Sequence, residues 1–157
     1  SGLVGVRPPT LKKRKIVSFC LTDGNIPEGH HCTLLFKPRG EIRDWFIQRL
    51  GEPVRYDVIA QIKNNCVACD VLVLKNPDLY MGTSRPHVTT WVAEGSKPVQ
   101  SNDLINEEFA EGGDHNFLTE LFGEDLDFGN GEKTGFISAL YYSADGKQYS
   151  TNPSDWE

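Results

Sequence analysis

The sequence lacks the long apolar segment of a membrane protein and the cysteine density of a disulfide scaffold. No apolar run approaches the ~20 residues that a membrane span requires, and no charged-then-apolar leader opens the chain. It contains four cysteines in 157 residues, and a chain of this length buries roughly 70% of its unfolded surface without disulfides. We therefore expect one soluble intracellular domain, cytoplasmic or nuclear, without a membrane partner.

Positive charge is scarce in the second half of the chain. Residues 76–157 contain 4 Lys and Arg against 15 Asp and Glu, whereas residues 1–75 contain 12 against 7. A long nucleic-acid footprint needs many Lys and Arg contacts to phosphates, so the net charge of −6 argues against one. The basic first half can still supply a local site for one phosphate.

The pattern of apolar residues predicts strands with few helices. Residues 1–14 have the composition of a tail or linker, and residues 15–157 are expected to form a single domain. One amphipathic helix is predicted over residues 41–50. Its end is marked by Gly51 and Pro53, which do not continue a helix. The acidic segment 106–132 is interpreted as an insertion or lid-like loop with one short helix at 117–122. Strands are predicted over residues 15–22, 31–38, 54–62, 66–74, 87–93 and 134–142. This mixture indicates an α+β fold.

Two short motifs with the same spacing stand at the starts of two predicted strands. His31-Cys32-Thr33 and His87-Val88-Thr89 both read His-x-Thr. Residues i and i+2 of a strand share a face, so each histidine points the same way as its threonine. If the two strands are neighbours, they line one site with two imidazoles and two hydroxyls. The alternative is that both histidines are structural residues of their strands.

This set of groups suits the cleavage of a phosphodiester. The reaction needs a base for the attacking oxygen, an acid for the leaving oxygen and donors to the non-bridging oxygens. Histidine serves both proton transfers because its ordinary pKa is near 6.5, and the threonine hydroxyls can donate to the phosphoryl oxygens. The sequence shows no carboxylate cluster suited to a metal, so we expect neither a metal nor another cofactor.

The two motifs resemble those of the 2H phosphoesterase superfamily, in which two His-x-Thr or His-x-Ser motifs face each other across a bilobal fold. The segment RPHVTTWVAEGSKPVQSNDLI, residues 85–105, is also similar to the cyclic phosphodiesterase domain of fungal-type tRNA ligases. The resemblance covers residues 15–105. It implies an α+β fold of two antiparallel sheets that form a central cleft. The short interval between His31 and His87 leaves room for one helix and a hairpin.

The resemblance implies a catalytic set of His31, His87, Thr33 and Thr89. The implied reaction is metal-independent hydrolysis of an RNA-type 2′,3′-cyclic phosphate to a monophosphate, the 2′-phosphate in tRNA-ligase relatives. The implied partner is an RNA 3′ end or a small cyclic nucleotide, with the chain as part of a larger ligase in RNA repair or tRNA splicing. The alternatives are a phosphodiesterase of cyclic or 2′-5′ oligonucleotide signals and a catalytically silent nucleotide-binding module. The motifs do not say which histidine is the acid.

Five further residues are candidates for substrate binding. Trp91 and Tyr142 are candidate stacking surfaces for a base, with core packing as the alternative. Lys97 and Arg85 flank the second motif and can neutralise phosphate, or are ordinary surface charges. Ser101 is a candidate polar contact, or a turn or capping residue.

Overall fold

The computed structural model describes residues 11–23, 30–109 and 133–157 of the chain. Two α-helices and seven strands lie in these ranges. They are β1 (Ser18–Asp23), β2 (Cys32–Phe36), α1 (Gly40–Ile47), β3 (Pro53–Lys63), β4 (Val67–Leu74), β5 (His87–Val92), α2 (Gln100–Glu108), β6 (Lys133–Ser143) and β7 (Gly146–Ser150). Residues 1–10 of the predicted tail at 1–14 and most of the predicted insertion, residues 110–132 with its helix at 117–122, lie outside the described residues.

The strands form one antiparallel sheet that closes on itself. Their order is β1-β2-β5-β4-β3-β6-β7, and β1 also pairs with β6. The first six strands of this order are therefore a closed barrel, and β7 is an extra strand on β6. The α+β class and the small number of helices are confirmed. Two separate sheets with a cleft between them are not seen in the described parts of the chain.

The interior of the barrel is apolar and one helix packs against it. Alternate residues of the strands point inward, such as Phe19 and Leu21 of β1 and Ile137 of β6, all nearly inaccessible to solvent. Phe46 of α1 stacks on Phe19 with ring centroids 4.8 Å apart. Gly51 follows α1 with φ +86°, a backbone conformation that favours glycine because it has no Cβ. The predicted helix at 41–50 and its end are thus confirmed to within a few residues.

A second apolar cluster lies on the outer face of β3 and β4, where α2 covers it. Leu104 and Ile105 of α2 pack against Val67, Cys69 and Val71 of β4. Ser101, Leu104 and Ile105 lie on one side of the helix because they are three and four residues apart. Helix α2 was not predicted from the sequence, in which Ser101 was a candidate polar contact to substrate, or a turn or capping residue.

The interval between the two histidines contains one α-helix, α1, and one hairpin, β3–β4, as predicted, together with a single 3-10 turn at Pro77–Leu79. Strand β7 was not predicted. None of the helices among the described residues has the length and apolar character needed to cross a membrane.

Candidate functional site

The two His-x-Thr motifs lie on neighbouring antiparallel strands. Cys32 of β2 pairs with Val88 of β5, and residues on either side of such a pair also face each other. His31 is therefore opposite Thr89, and Thr33 is opposite His87. All four side chains are on one face of the sheet, because they alternate with Cys32 and Val88.

This face is the outer face of the barrel. Thr89 pairs with Cys69, and His87 pairs with Val71, both of which belong to the cluster under α2. On the other side, Thr33 pairs with Cys20 of β1. The motifs thus lie between α2 and the outer faces of β1 and β6.

The imidazole of His31 is hydrogen-bonded to a residue of β7, the last strand of the sheet. Its Nδ1 lies 2.8 Å from the Tyr149 hydroxyl. Burial, with smaller contributions from Lys147, His87 and His30, lowers the pKa of His31 from 6.5 to about 4.

The imidazole of His87 is hydrogen-bonded to a main-chain carbonyl two residues earlier in the chain. Its Nδ1 lies 2.7 Å from the carbonyl oxygen of Arg85. A carbonyl only accepts, so Nδ1 carries a proton and Nε2 is the atom left for a substrate. Burial lowers the pKa of His87, and the hydrogen bond to Arg85 partly opposes this by favouring the charged form.

The two threonines have different surroundings. The Thr89 hydroxyl lies 2.9 Å from the hydroxyl of Ser101, which is fully buried. Ser101 also hydrogen-bonds the thiol of Cys69, whose pKa burial raises to about 11. Among the described residues, the Thr33 hydroxyl has no hydrogen-bond partner. Ser101 is therefore brought to the predicted site, where it contacts Thr89.

The two predicted cations are placed differently. The guanidinium of Arg85 lies 5.0 Å from the ring centroid of Phe109, at the end of α2. The side chain of Lys97 is exposed, and its backbone N–H donates to Gln100 Oε1 at 2.6 Å, just before α2 begins.

Trp91 is turned away from the motifs by an irregularity in β5. Thr89 pairs with Cys69 but Trp91 pairs with Ala68, so Thr90 is an extra residue at a β-bulge. Because Cys69 and Ala68 point to opposite faces, Thr89 and Trp91 do so too. The simple alternation of residues 87–93 expected from the sequence does not hold at this point. The ammonium nitrogen of Lys63 instead lies over the Trp91 ring, 4.6 Å from the ring centroid.

Tyr142 lies on the same face of the sheet as the site, but farther along β6, near the end of that strand. It pairs with Lys147 of β7, two residues along the strands from the pair of Leu140 with Tyr149. Its side chain is exposed, whereas the neighbouring Tyr141 packs edge-on against Trp156.

A cavity of about 270 Å³ lies on the opposite side of β2 and β5, at one mouth of the barrel. His31 is at its rim, but His87, Thr33 and Thr89 do not line it. In the parts of the chain that the structure describes, no group of three or more His, Cys, Asp or Glu residues is arranged to hold a metal ion. The lining residues are Leu21, Asp23, His30, His31, Cys32, Tyr56, Val58, Asp70, Leu72, Val88, Thr90 and Lys133.

Tyr149 and Lys147 are two residues of this site that were not predicted from the sequence. Both belong to β7, which a two-residue turn at Ala144 and Asp145 connects to β6. The Asp145-Gly146 pair is typical of a tight hairpin, and it was the available signal for a strand with Lys147 and Tyr149 on one face.

The comparisons with known proteins add no relative to this picture. No protein-family model matches the chain, and neither the curated proteins nor the solved structures contain a match.

Proposed function

We propose that the chain is a phosphodiesterase that hydrolyses an RNA-type 2′,3′-cyclic phosphate to a monophosphate, with His31 and His87 as the acid and the base. The register between β2 and β5 carries this proposal. One backbone pair, Cys32 with Val88, puts both imidazoles and both threonine hydroxyls on the same face. The period of two puts each histidine beside its own threonine, and this register puts the two pairs on neighbouring strands at one place.

The chemistry requires two proton transfers at one phosphorus atom. A water oxygen bonds to phosphorus as one imidazole takes the water's proton. The bond from phosphorus to one ribose oxygen breaks, and that oxygen receives a proton from the other imidazole. Water is added across one P–O bond, and the two imidazoles have exchanged protonation states, which solvent then restores. Thr33 and Thr89 donate to the non-bridging oxygens, where negative charge is held.

The environment of the site fits an anionic substrate. Burial lowers the pKa of both histidines, whereas a nearby phosphate charge favours the protonated form. Lys147 supplies positive charge beside His31, since it contributes to lowering the pKa of that residue. Substrate binding would therefore increase the protonated population of an imidazole at the moment an acid is needed.

We also propose a relationship to a two-lobed fold, which is based on the boundary between β2 and β5, called the seam below. Strands β2, β1, β6 and β7 form one run of the sheet, and β5, β4 and β3 form another. The two runs meet at the motifs through a single Cα pair, and at their other junction through the pairing of β3 with β6. We propose that this seam corresponds to the centre of a two-lobed phosphoesterase, with one His-x-Thr motif from each lobe.

The test is turnover of 2′,3′-cyclic AMP by the full chain in the presence of EDTA. We expect His31→Ala and His87→Ala each to lower kcat by about 10²–10⁴-fold, as for the loss of an acid or base. His30→Ala is the matched control, because His30 is the exposed neighbour of His31 and has no threonine two positions later. Activity of both site variants near that of His30→Ala would contradict the proposal.

The same assay separates the alternatives. Cleavage of 2′-5′ oligoadenylate or of a cyclic dinucleotide, without cleavage of 2′,3′-cyclic AMP, would assign the site to oligonucleotide signals. Binding of these nucleotides without any turnover would indicate a silent binding module.

A further inference from the structure

The loop of residues 80–86 leads directly into the second motif. Near its start it is bonded to β2, where the Met81 N–H donates to the Leu34 carbonyl at 2.8 Å. At its end it is bonded to β4, where the Leu72 N–H donates to the Pro86 carbonyl, also at 2.8 Å. The loop therefore joins the two runs of the sheet beside the seam, to which the β2–β5 ladder contributes a single Cα pair.

The side chain of Tyr80 organises this loop. Its hydroxyl accepts a hydrogen bond from the Ser84 N–H at 3.1 Å and lies 3.2 Å from the Ser84 hydroxyl. The backbone passes so close to the ring that a Cβ at Gly82 would overlap the Tyr80 hydroxyl, so only glycine fits there without moving the ring. Tyr80 therefore fixes the backbone at Ser84, the residue before Arg85.

Helix α2 holds the same serine through Asn102. The Asn102 Nδ2 donates to the Val99 carbonyl at 3.2 Å, and this bond sets the orientation of the amide. The Ser84 hydroxyl donates to the Asn102 Oδ1 at 2.6 Å. Asn102 directly follows Ser101, which contacts Thr89. Consecutive residues of α2 thus contact the threonine of the second motif and the loop that precedes its histidine.

These contacts fix the carbonyl group that binds the imidazole of His87. Arg85 lies between two anchored residues, Ser84 and Pro86. A residue before proline is restricted to extended backbone conformations, so the direction of the Arg85 carbonyl follows from the placement of its neighbours. That carbonyl accepts the Nδ1 proton of His87 at 2.7 Å. The guanidinium of Arg85 adds a contact to the end of α2, 5.0 Å from the ring centroid of Phe109.

We infer from these contacts that Asn102 and Tyr80 are positioning residues for His87. They act through Ser84 and the Arg85 carbonyl, which keeps the proton of the neutral ring on Nδ1 and leaves Nε2 for the substrate. A misdirected imidazole transfers a proton poorly, because the transfer requires hydrogen-bond distance to the reacting oxygen. The inference rests on the proposed function for its role in catalysis.

The first motif has a different support. The imidazole of His31 is bonded to Tyr149, which belongs to β7 and not to this loop. Changes at Asn102 or Tyr80 should therefore alter the orientation of His87 without altering that of His31. This difference distinguishes a positioning role from a general loss of structure.

The experiment is ¹⁵N NMR of the histidine rings in the full, substrate-free chain, with His31→Gln and His87→Gln used to assign the signals. In the wild type, the neutral ring of His87 should carry its proton on Nδ1. Asn102→Leu removes the acceptor of the Ser84 hydroxyl and should convert His87 to a mixture of the two tautomers. Asn106→Leu, the same substitution at an exposed position of α2, is the matched control and should leave both histidines unchanged.

Two further variants test whether these hydrogen bonds are the cause. Asn102→Asp keeps an acceptor oxygen for Ser84 and should restore the wild-type tautomer of His87, and its negative charge is favourable in the first turn of a helix. Tyr80→Phe keeps the ring but removes the hydroxyl, so it should give the same mixture of tautomers as Asn102→Leu. Tyr142→Phe, at an exposed tyrosine, should not.

Two results would overturn the inference. One is an unchanged His87 tautomer in both Asn102→Leu and Tyr80→Phe. The other is an equal change at His31 in these variants, because it would show that the whole site has loosened.

Turnover of 2′,3′-cyclic AMP separates this inference from the proposed function. Asn102→Leu should lower kcat by about 10–100-fold and change KM by less than about twofold, and Asn102→Asp should recover most of the lost activity. If the wild type is active and Asn102→Leu has the same kcat, the inference is wrong and the proposed function is supported. If the wild type is inactive but His87 loses its single tautomer in Asn102→Leu, the proposed function is wrong and the positioning of His87 is supported.

Discussion

The hydroxyl of Ser101 lies 2.9 Å from that of Thr89, although the first belongs to α2 and the second to β5. Ser101 is completely buried, and this contact orients one of the two hydroxyls assigned to the phosphoryl oxygens. Helix α2 therefore positions the threonine of the second motif through Ser101.

Replacing Ser101 with Ala should affect both stability and turnover. The change leaves the Thr89 hydroxyl and the Cys69 thiol without a partner, at a cost of about 1 kcal/mol in the free energy of unfolding. It should also lower kcat/KM for 2′,3′-cyclic AMP, because Thr89 loses its fixed orientation. Urea unfolding and the kinetic assay measure the two effects. Ser154→Ala, at an exposed serine, is the control, and equal behaviour of the two variants would refute this role.

Replacing Trp91 with Ala should leave turnover within about twofold of wild type, which corresponds to less than 0.5 kcal/mol of transition-state stabilisation. The physical reason is the bulge at Thr90, which directs Trp91 to the face opposite Thr89. The measurement is kcat/KM for 2′,3′-cyclic AMP, with Thr33→Val as a comparison that removes a hydroxyl from the site face. A loss of tenfold or more in Trp91→Ala would show that the indole contacts the substrate.

Stability should decrease as the pH falls below the ordinary pKa of histidine. The pKa of His31 is about 4 in the folded chain against 6.5 unfolded, so the unfolded state binds more protons between these values. The contribution of His31 is fully present above pH 6.5 and is lost towards pH 4, by about 3 kcal/mol. His87 acts with the same sign, because its pKa is also lowered.

Urea unfolding at several pH values between 7 and 4 measures this dependence. The relevant quantity is the difference between wild type and His31→Gln, since the carboxyl groups titrate in both. The difference should change in favour of the variant as the pH falls. A difference that is constant with pH would contradict the lowered pKa of His31.

Two glycines with similar backbone angles should differ in their tolerance of a side chain. Gly51 has φ +86° and Gly95 has φ +82°. A Cβ at Gly51 would lie 2.8 Å from the carbonyl oxygen of Thr151, whereas one at Gly95 would meet open space. Gly95→Ala should cost about 1–2 kcal/mol from the left-handed backbone alone. Gly51→Ala should lower the free energy of unfolding by more than this. Equal free energies of unfolding for the two variants would contradict the close approach of Thr151 to Gly51.

The elements between the motifs were predictable because their signals are local. Residues 54–62 and 66–74 are rich in apolar and β-branched residues, and three polar residues separate them, which predicts the β3–β4 hairpin seen in the structure. Strand β7 is also local in origin, since Asp145-Gly146 favours its turn, but its few apolar residues carry little periodicity. Helix α2 was missed because its apolar face is short, with Leu104 and Ile105 as its main members.

The sequence by itself determined which residues share a face within each strand. His31 with Thr33, and His87 with Thr89, follow from the period of two that every strand has. It also indicated that the fold would be α+β with few helices.

Only the tertiary structure decided how these faces meet. The register of Cys32 against Val88 depends on contacts between strands that are far apart in the chain. The bulge that removes Trp91 from the site depends on the pairing of β5 with β4. The difference between the two histidines depends on β7, whose Tyr149 is 118 residues from His31. A repeated motif specifies two equal strands, and the unequal neighbours that folding brings to them make the two imidazoles different.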